Sequence, residues 1–325
     1  MKAILVGNGT MGGRHRGRFE ACGVSFVGVT DNDAEFEKIA DKLNATGGAQ
    51  TVDFAVIASP ATTHYRYTKF FLERRIPVFV EKPLATTAEQ AQELVDMAAS
   101  SGTTLFVAQS ECFNPIFLNF RKHFLAELNE RRADGGAGFA AGEIATMDGH
   151  GCGTAGNEPC RGVHLEFRRE HRYSSRCRDV SVMLDLLVHD LSMFLTMFRT
   201  EEVKLEWFRT GGKSPGDDEF DSAMMRLRIA SGKYRGVIAD FYVNRNSGCD
   251  VRTISVNFAR NGELPSSNYT VSLARYTPEG EIAHVPDSLD NEHRFFLKLL
   301  AGACGEWGRR AAQNAADCVR LATIK

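Results

Sequence analysis

The chain has 325 residues, of which 43% are hydrophobic and 25% charged, with a formal net charge of -2. Those proportions belong to an ordinary folded protein long enough for two domains. They exclude a nucleic-acid partner, for lack of a basic excess to neutralise phosphates, and no apolar run approaches membrane-spanning length.

The first residues go straight into a strand pattern, Ala3 to Val6, rather than a signal-peptide layout. The eight cysteines are scattered at 22, 112, 152, 160, 177, 249, 304 and 318 with no CxxC spacing. Reduced thiols and a cytoplasmic location are therefore expected.

After the first strand comes Gly7-Asn8-Gly9-Thr10-Met11-Gly12, a complete G-x-G-x-x-G, followed by a helical stretch from Gly13 to Cys22. In such a loop the first glycine permits a tight turn, the second admits a pyrophosphate, and the third allows close helix–strand packing. The free amides at the helix start favour an anion. A second strand, Val24 to Thr30, ends at Asp31, nineteen residues after Gly12. An acid there can accept both ribose hydroxyls and repels a 2′-phosphate, which favours NAD over NADP.

The alternation continues with a helix over 35–43, a strand over 54–58, and the turn Ser59-Pro60-Ala61-Thr62-Thr63-His64 into a helix over 65–74. Ser59 and the amides beyond Pro60 would lie near the ribose or nicotinamide; His64 reads equally as a surface histidine in a first helical turn. A strand over 76–80 then runs into Glu81-Lys82-Pro83, before a helix over 88–100 and a strand over 104–108. Proline biases Lys82 away from helix, which places a lysine at the carboxyl edge of a strand, where open α/β sheets bind ligands. Strands and helices at this spacing predict a doubly wound parallel sheet.

In this order and at these intervals, the glycine loop, Asp31, the Ser59–His64 turn and Glu81-Lys82-Pro83 resemble the glucose–fructose oxidoreductase/inositol 2-dehydrogenase (Gfo/Idh/MocA) family. The resemblance implies an N-terminal Rossmann domain, taken as residues 1–114, and a C-terminal α+β domain for substrate binding and oligomerisation, taken as 115–325. It also implies that Lys82 lies beside the nicotinamide and takes part in proton transfer. The expected cofactor contacts are Gly7, Gly9, Thr10, Met11, Gly12, Asp31, Ser59, Pro60, His64, Glu81, Lys82 and Gln109. The segment Gln109 to Pro115 resembles a Glu-Arg-Phe-Asn-Pro stretch of one branch, with Cys112 in place of the arginine, so a cation near cofactor or substrate is missing. Asn114 is retained as a candidate substrate contact.

Residues 131–162 are rich in glycine and alanine and read as a long loop around one short strand, Glu143 to Met147. His150, Cys152, Cys160 and His164 could supply four zinc ligands, but the spacing matches no zinc finger and a flexible loop separates the cysteines. The expectation is no metal, with these residues solvated or part of a substrate lid.

Between 184 and 198, apolar residues recur at helical spacing. Asp185 and His189 stand four apart, on one helix face beside that stripe. Read alone, they are either a helix-stabilising pair or a chemical one. The family resemblance implies the second, with His189 as acid/base on the reacting hydroxyl and Asp185 orienting it. The surrounding residues resemble the branch acting on nucleotide-activated sugars, which includes UDP-N-acetylglucosamine 3-dehydrogenases. Arg169, Arg176 and Arg178 could then meet a substrate diphosphate, or be exposed charges.

From Val203 onward, strands over 203–209, 222–229, 234–243, 251–258 and 269–274 alternate apolar and polar residues. That pattern suits a large, mostly antiparallel sheet with one face covered by helices. The open face is solvated or covered by another subunit, and the family resemblance implies a homodimer or homotetramer through it. Helices over 291–302 and 309–324 close the chain.

The function expected is an NAD-dependent oxidoreductase moving a hydride between a secondary hydroxyl or keto group of a sugar, possibly a UDP-sugar, and the nicotinamide. Two alternatives are an NAD-using glycosidase of the same fold and a non-catalytic cofactor-binding regulator. Regulators of this family tend to lose the lysine or histidine, and this chain has both.

Overall fold

A computed structural model describes residues 1–45, 52–133, 160, 162–173, 179–198, 201–213, 219–258, 267–274, 276–277, 280–281, 287–303 and 305–324. In chain order the main elements are β1 (Lys2–Val6), α1 (Thr10–Ala21), β2 (Ser25–Thr30), α2 (Asp33–Ala45), β3 (Phe54–Ile57), α3 (His64–Glu73), β4 (Val78–Glu81), α4 (Ala88–Ser101), β5 (Leu105–Ala108), α5 (Pro115–Ala133), β6 (Val163–Glu170), α6 (Val188–Met197), β7 (Val203–Gly211), β8 (Ser222–Ile229), β9 (Ile238–Asn244), β10 (Val251–Phe258), β11 (Ser267–Ser272), α7 (Ser288–Leu300) and α8 (Gly305–Ala322).

The chain divides into two compact units, and neither is continuous in sequence. The first comprises 1–115, 175–196 and 286–325; the second comprises 116–174 and 197–285. The expected boundary near 114 thus marks only the first crossing. The segment around Asp185 and the two closing helices belong with the glycine loop.

The first unit holds a parallel sheet of five strands in the order β2-β1-β3-β4-β5. Every residue of β3, β4 and β5 is buried, as expected for strands covered on both faces. The strand order reverses at β1 and β3, so loops leaving their carboxyl ends part and open a crevice. Aromatic rings fasten the late helix α7 to this sheet. Phe296 lies with its ring centroid 5.2 Å from Phe54, 5.3 Å from Phe79 and 5.5 Å from Phe106, and Phe19 of α1 completes the cluster. Burying a side chain of this size contributes about 1.5–3 kcal/mol.

The second unit holds a sheet in the order β11-β10-β6-β9-β8-β7, antiparallel except for the β6–β9 pair. Burial alternates along β8, β9 and β10, so one face is inside and the other half-exposed. Phe167 and Phe241 stack on the inner face at 4.9 Å, and α5 lays Phe124 against Phe258 and Phe120 against Tyr269. The outer face carries charge, with Arg226 and His164 both bonded to Asp240.

Element limits differ locally from the sequence expectation. Helix α1 starts at Thr10, inside the glycine motif rather than after it, because Gly9 is its N-cap. Strand β9 starts at Ile238, since Tyr234 to Val237 form a turn closed by the Val237 amide on the Tyr234 carbonyl. The expected strand Glu143–Met147 lies outside the described residues.

Candidate active site

The loops at the carboxyl ends of β1 to β5 carry the expected cofactor contacts. Gly7 has φ +90°, and a Cβ there would lie 2.4 Å from the Ser59 amide nitrogen. A Cβ on Gly12 would lie 1.9 Å from the Gly7 carbonyl oxygen. Both positions are glycine because the protein's own backbone fills the space. Gly9 differs: a Cβ there meets nothing within 4 Å, so no part of the chain demands glycine at that position. As the N-cap of α1, Gly9 offers no side chain to cap its amides. The amides of Thr10, Met11 and Gly12 precede the first helical bond, from Gly13 to Gly9. An open glycine and an uncapped helix start suit a pyrophosphate approaching closely.

Asp31 follows β2, and its Oδ1 accepts the Asn8 amide at 2.8 Å, fixing the acid beside the glycine loop. Its own amide donates to Glu35 Oε2 at 2.9 Å. A second carboxylate, Glu35, thus lies against the main chain of Asp31. Sequence reading named only the first, because Glu35 looks like an ordinary first-turn acid of α2.

The turn after β3 is built by its own side chains. Ser59 Oγ and Thr63 Oγ1 are 2.7 Å apart, and Pro60 leads into a short 3-10 turn over Ala61–Thr63. The surface reading of His64 is overturned, since it is 1% exposed. Its Nδ1 lies 2.7 Å from the Pro83 carbonyl and its Nε2 2.9 Å from the Ser59 carbonyl. Burial pushes its imidazole below the ordinary range, against the two carbonyls that pull it up. His64 thus ties the Ser59 turn to the Lys82-Pro83 turn through main-chain oxygens.

Lys82 follows β4 and is joined to Pro83 by a cis peptide. Its Nζ donates to Asp185 Oδ1 at 3.0 Å and to the Asp185 carbonyl at 2.9 Å. The Lys82 and Asp185 side chains are 18% and 12% exposed, so the pair is sheltered yet reachable. Asp185 sits on a π-helical turn, Met183–Leu187, that precedes α6. That turn has a wider repeat than an α-helix and is frequent at functional sites. It aims the carboxylate at Lys82. The expected orientation of His189 by Asp185 is therefore corrected: the acid's hydrogen bonds go to the lysine. His189 starts α6 and is half-buried, and its carbonyl accepts the Ser192 hydroxyl at 2.7 Å.

Glu81 is buried behind Lys82. Its Oε2 accepts the Lys82 amide at 3.0 Å, and its Oε1 lies 2.7 Å from His15 Nε2. Burial pushes this carboxyl up, but the hydrogen bond and charge of His15 outweigh it, and the net direction is down. Sequence reading missed His15, hidden in the arginine-rich helix after the glycine loop. Its placement three residues past Gly12 was the available signal.

Gln109 is buried after β5, with Nε2 3.8 Å from Cys318 Sγ, and Asn114 donates to Glu111 at 3.2 Å. Cys112, where the family branch has arginine, is a buried thiol donating to Ser192 Oγ at 3.3 Å. Burial pushes it up to about 11, so it supplies no charge. In the second unit, Arg169 is a 2% exposed residue of β6. Arg176 and Arg178 lie outside the described residues, as do His150 and Cys152. Of the other zinc candidates, Cys160 is buried with Sγ 3.9 Å from the Lys233 carbonyl, and His164 Nε2 is 2.9 Å from Asp240 Oδ2. Among the described residues, no three metal-ligating side chains cluster.

Residues 1–109 match the model of an oxidoreductase family with an NAD-binding Rossmann fold, Gfo/Idh/MocA. The chain is 28% identical over 289 residues to an inositol 2-dehydrogenase of Acidothermus cellulolyticus, covering 84% of this chain and 73% of that one. It is 22% identical over 246 residues to a UDP-N-acetylglucosamine 3-dehydrogenase of Acidithiobacillus ferrooxidans, covering 74% of this chain and 66% of that one. The crystal structure of that second enzyme, GnnA, superposes with a TM-score of 0.65 at 21% identity, over 99% of this chain and 97% of that one. GenD2 from gentamicin A biosynthesis, in complex with NAD, superposes with a TM-score of 0.69 at 19% identity, over 98% and 92% of the two chains. In its first 109 residues, the chain is thus similar to the Gfo/Idh/MocA oxidoreductase family.

Proposed function

We propose that this protein is an NAD-dependent dehydrogenase that oxidises a secondary hydroxyl on a sugar or cyclitol ring, or reduces the corresponding ketone. The observation that carries the reading is the lysine–carboxylate pair, Lys82 with Asp185 at 3.0 Å, at the edge of a sheet whose loops suit a dinucleotide. Relatives named for inositol and for UDP-N-acetylglucosamine support a polyhydroxylated ring as substrate. A bound NAD supplies the hydride acceptor. Gly7 to Gly12 would hold its pyrophosphate and Asp31 its adenosine ribose.

The chain's own part is to handle the hydroxyl proton. Asp185 fixes where the Lys82 ammonium stands, and Lys82 donates a hydrogen bond to the reacting oxygen, which stabilises negative charge developing there. His189 is the acid/base that takes the proton as the carbonyl forms. Asp31 with Glu35 disfavours a 2′-phosphate, which supports NAD over NADP. The polar outer face of the second sheet is the surface assigned to assembly into dimers or tetramers. The five described cysteines, all free thiols, suit a reducing compartment such as the cytoplasm.

The test is a panel of UDP-sugars, dTDP-sugars, free sugars and inositols with NAD, following NADH. Accumulation of NADH with one class identifies the dehydrogenase and its substrate. Sugar release without NADH would identify the glycosidase instead. No turnover together with a stable protein partner would identify the regulator.

A further inference from the structure

The segment 179–187, which ends in the π turn, is tied at two points to loops at the carboxyl edge of the first sheet, all within the first unit. At its start, Asp179 Oδ2 accepts the Ala61 amide at 3.1 Å, across 118 residues of chain. Near its end, the Asp185 carbonyl and Oδ1 accept the Lys82 ammonium. The stretch between is held by its own bonds. The Ser181 carbonyl accepts the Asp185 amide at 2.9 Å, Ser181 Oγ accepts the Leu184 amide at 3.3 Å, and Val180 and Val182 are buried.

The two loops are themselves joined through His64, whose ring nitrogens lie 2.7 Å from the Pro83 carbonyl and 2.9 Å from the Ser59 carbonyl. The Thr63 amide and hydroxyl both donate to the Pro60 carbonyl, at 2.9 and 2.7 Å, so the turn that carries Ala61 is compact. The contacts therefore close into a ring. It runs from Asp179 through the Ser59 turn and His64 to the Lys82 turn, then through Asp185 and Ser181 back to Asp179.

Within that ring Asp179 is an exposed link, and nothing local demands its bond. The turn Ala61–Thr63 has Pro60 as its N-cap, which offers no side-chain bond, and water would serve the Ala61 amide as well as any acceptor. A carboxylate brought from 118 residues away instead makes a charge-assisted bond, stronger than a neutral one. Its effect is to fix the Ser59 turn against the start of the segment that carries Asp185.

We infer that Asp179 is a positioning residue: by closing this ring it sets where Asp185, and with it the Lys82 ammonium, stands relative to the Ser59 turn. The inference rests on the proposed reading of Lys82 as the group that meets the substrate oxygen and of the Ser59 turn as a cofactor contact. Opening the ring at Asp179 frees one end of the segment that holds the lysine. In an oriented site, a misplacement of about 1 Å can cost about a hundredfold in rate.

The experiment compares the full-length protein with Asp179→Ala and Asp179→Asn. Asparagine keeps a side-chain oxygen that can accept the Ala61 amide, and alanine keeps none. Alanine should lower kcat about tenfold, with the melting temperature little changed because the residue is exposed. Asparagine should restore kcat to within about threefold of the parent protein. An unchanged kcat in Asp179→Ala overturns the inference. So does an asparagine variant as slow as the alanine one, which would place the effect in the charge rather than in the bond.

Amide hydrogen exchange, followed by NMR on the ¹⁵N-labelled protein, reads the ring without turnover. In Asp179→Ala, exchange should speed up about tenfold or more at the Ala61 amide and also at the Asp185 amide, which bonds within the segment. Faster exchange at Ala61 alone would mean that the bond reaches no further than its own donor, and would overturn the inference. A protein that oxidises no sugar yet shows the coupled exchange supports the mechanical link and counts against the dehydrogenase reading alone.

Discussion

Lys82 Nζ lies 3.0 Å from Asp185 Oδ1, although 103 residues separate them in the chain. The acid that helical spacing assigns to a histidine four residues away instead belongs to the lysine of the Glu-Lys-Pro turn.

Asp185→Asn should lower kcat by about one order of magnitude or more, because it loosens Lys82. In a double-mutant cycle, Asp185→Asn with Lys82→Ala should be strongly non-additive, whereas Asp185→Asn with His189→Ala should be closer to additive. Steady-state kinetics of the five variants decide between this pairing and an Asp185–His189 unit.

Lys82→Ala and His189→Ala should each cut turnover by roughly two orders of magnitude or more while sparing NAD binding, since the proposed function assigns each of them to the reacting hydroxyl. Fluorescence titration with NADH checks the second half of that statement. Near-normal turnover in both variants would remove the assignment.

The three glycines of the loop should respond differently. Gly12→Ala places a methyl 1.9 Å from the Gly7 carbonyl, so a marked loss of thermal stability and of NAD binding together is expected. Gly9→Ala meets nothing within 4 Å and should leave the melting temperature almost unchanged. Its NAD affinity should nevertheless fall about tenfold, because the methyl occupies the space through which the pyrophosphate approaches. Melting curves with and without NAD separate the two effects.

Removing the carboxylate of Asp31 should weaken NAD and relieve repulsion of a 2′-phosphate. Asp31→Ser is expected to shift the ratio of kcat/KM for NAD over NADP by about tenfold or more toward NADP. Glu35→Gln should shift it in the same direction by less, acting through the Asp31 amide.

Stability should fall on acidification before the ordinary carboxyl range is reached. His293 is held down at about 4, chiefly by burial, whereas in the unfolded chain it takes up a proton near the ordinary imidazole value of about 6.5. Between those values the unfolded state binds more protons, so stability is lost as pH falls through that window. His64, lowered by burial, adds in the same direction. Asp240, drawn down to about 2 by Arg226 and His164 against the effect of burial, contributes stability above about 3.8 that is lost as pH falls toward 2. Urea denaturation at several pH values should show the first slope reduced in His293→Phe.

The glycine loop, Asp31 and the Glu-Lys-Pro turn are legible because their chemistry is local: a turn, a strand end and a proline act on their own neighbours. The alternating strands of the second sheet are legible for the same reason. Asp185 is misread because a π turn, invisible in periodicity, redirects its side chain. His15 and His293 carry no helical signature of burial, since their partners lie 66 and 278 residues away. The membership of α7 in the first unit depends on Phe296 finding Phe54, Phe79 and Phe106, a contact no spacing rule encodes.

That membership governs how the molecule can be made or cut. The cofactor sheet receives its aromatic cover only when residues beyond 286 have left the ribosome, so the nascent glycine-loop segment waits, uncovered, through the synthesis of the whole second unit. Excising 1–115 as an independent cofactor module would strand the rings of Phe54, Phe79 and Phe106 in water and invite aggregation. A domain graft built on this protein must carry three separate stretches of chain.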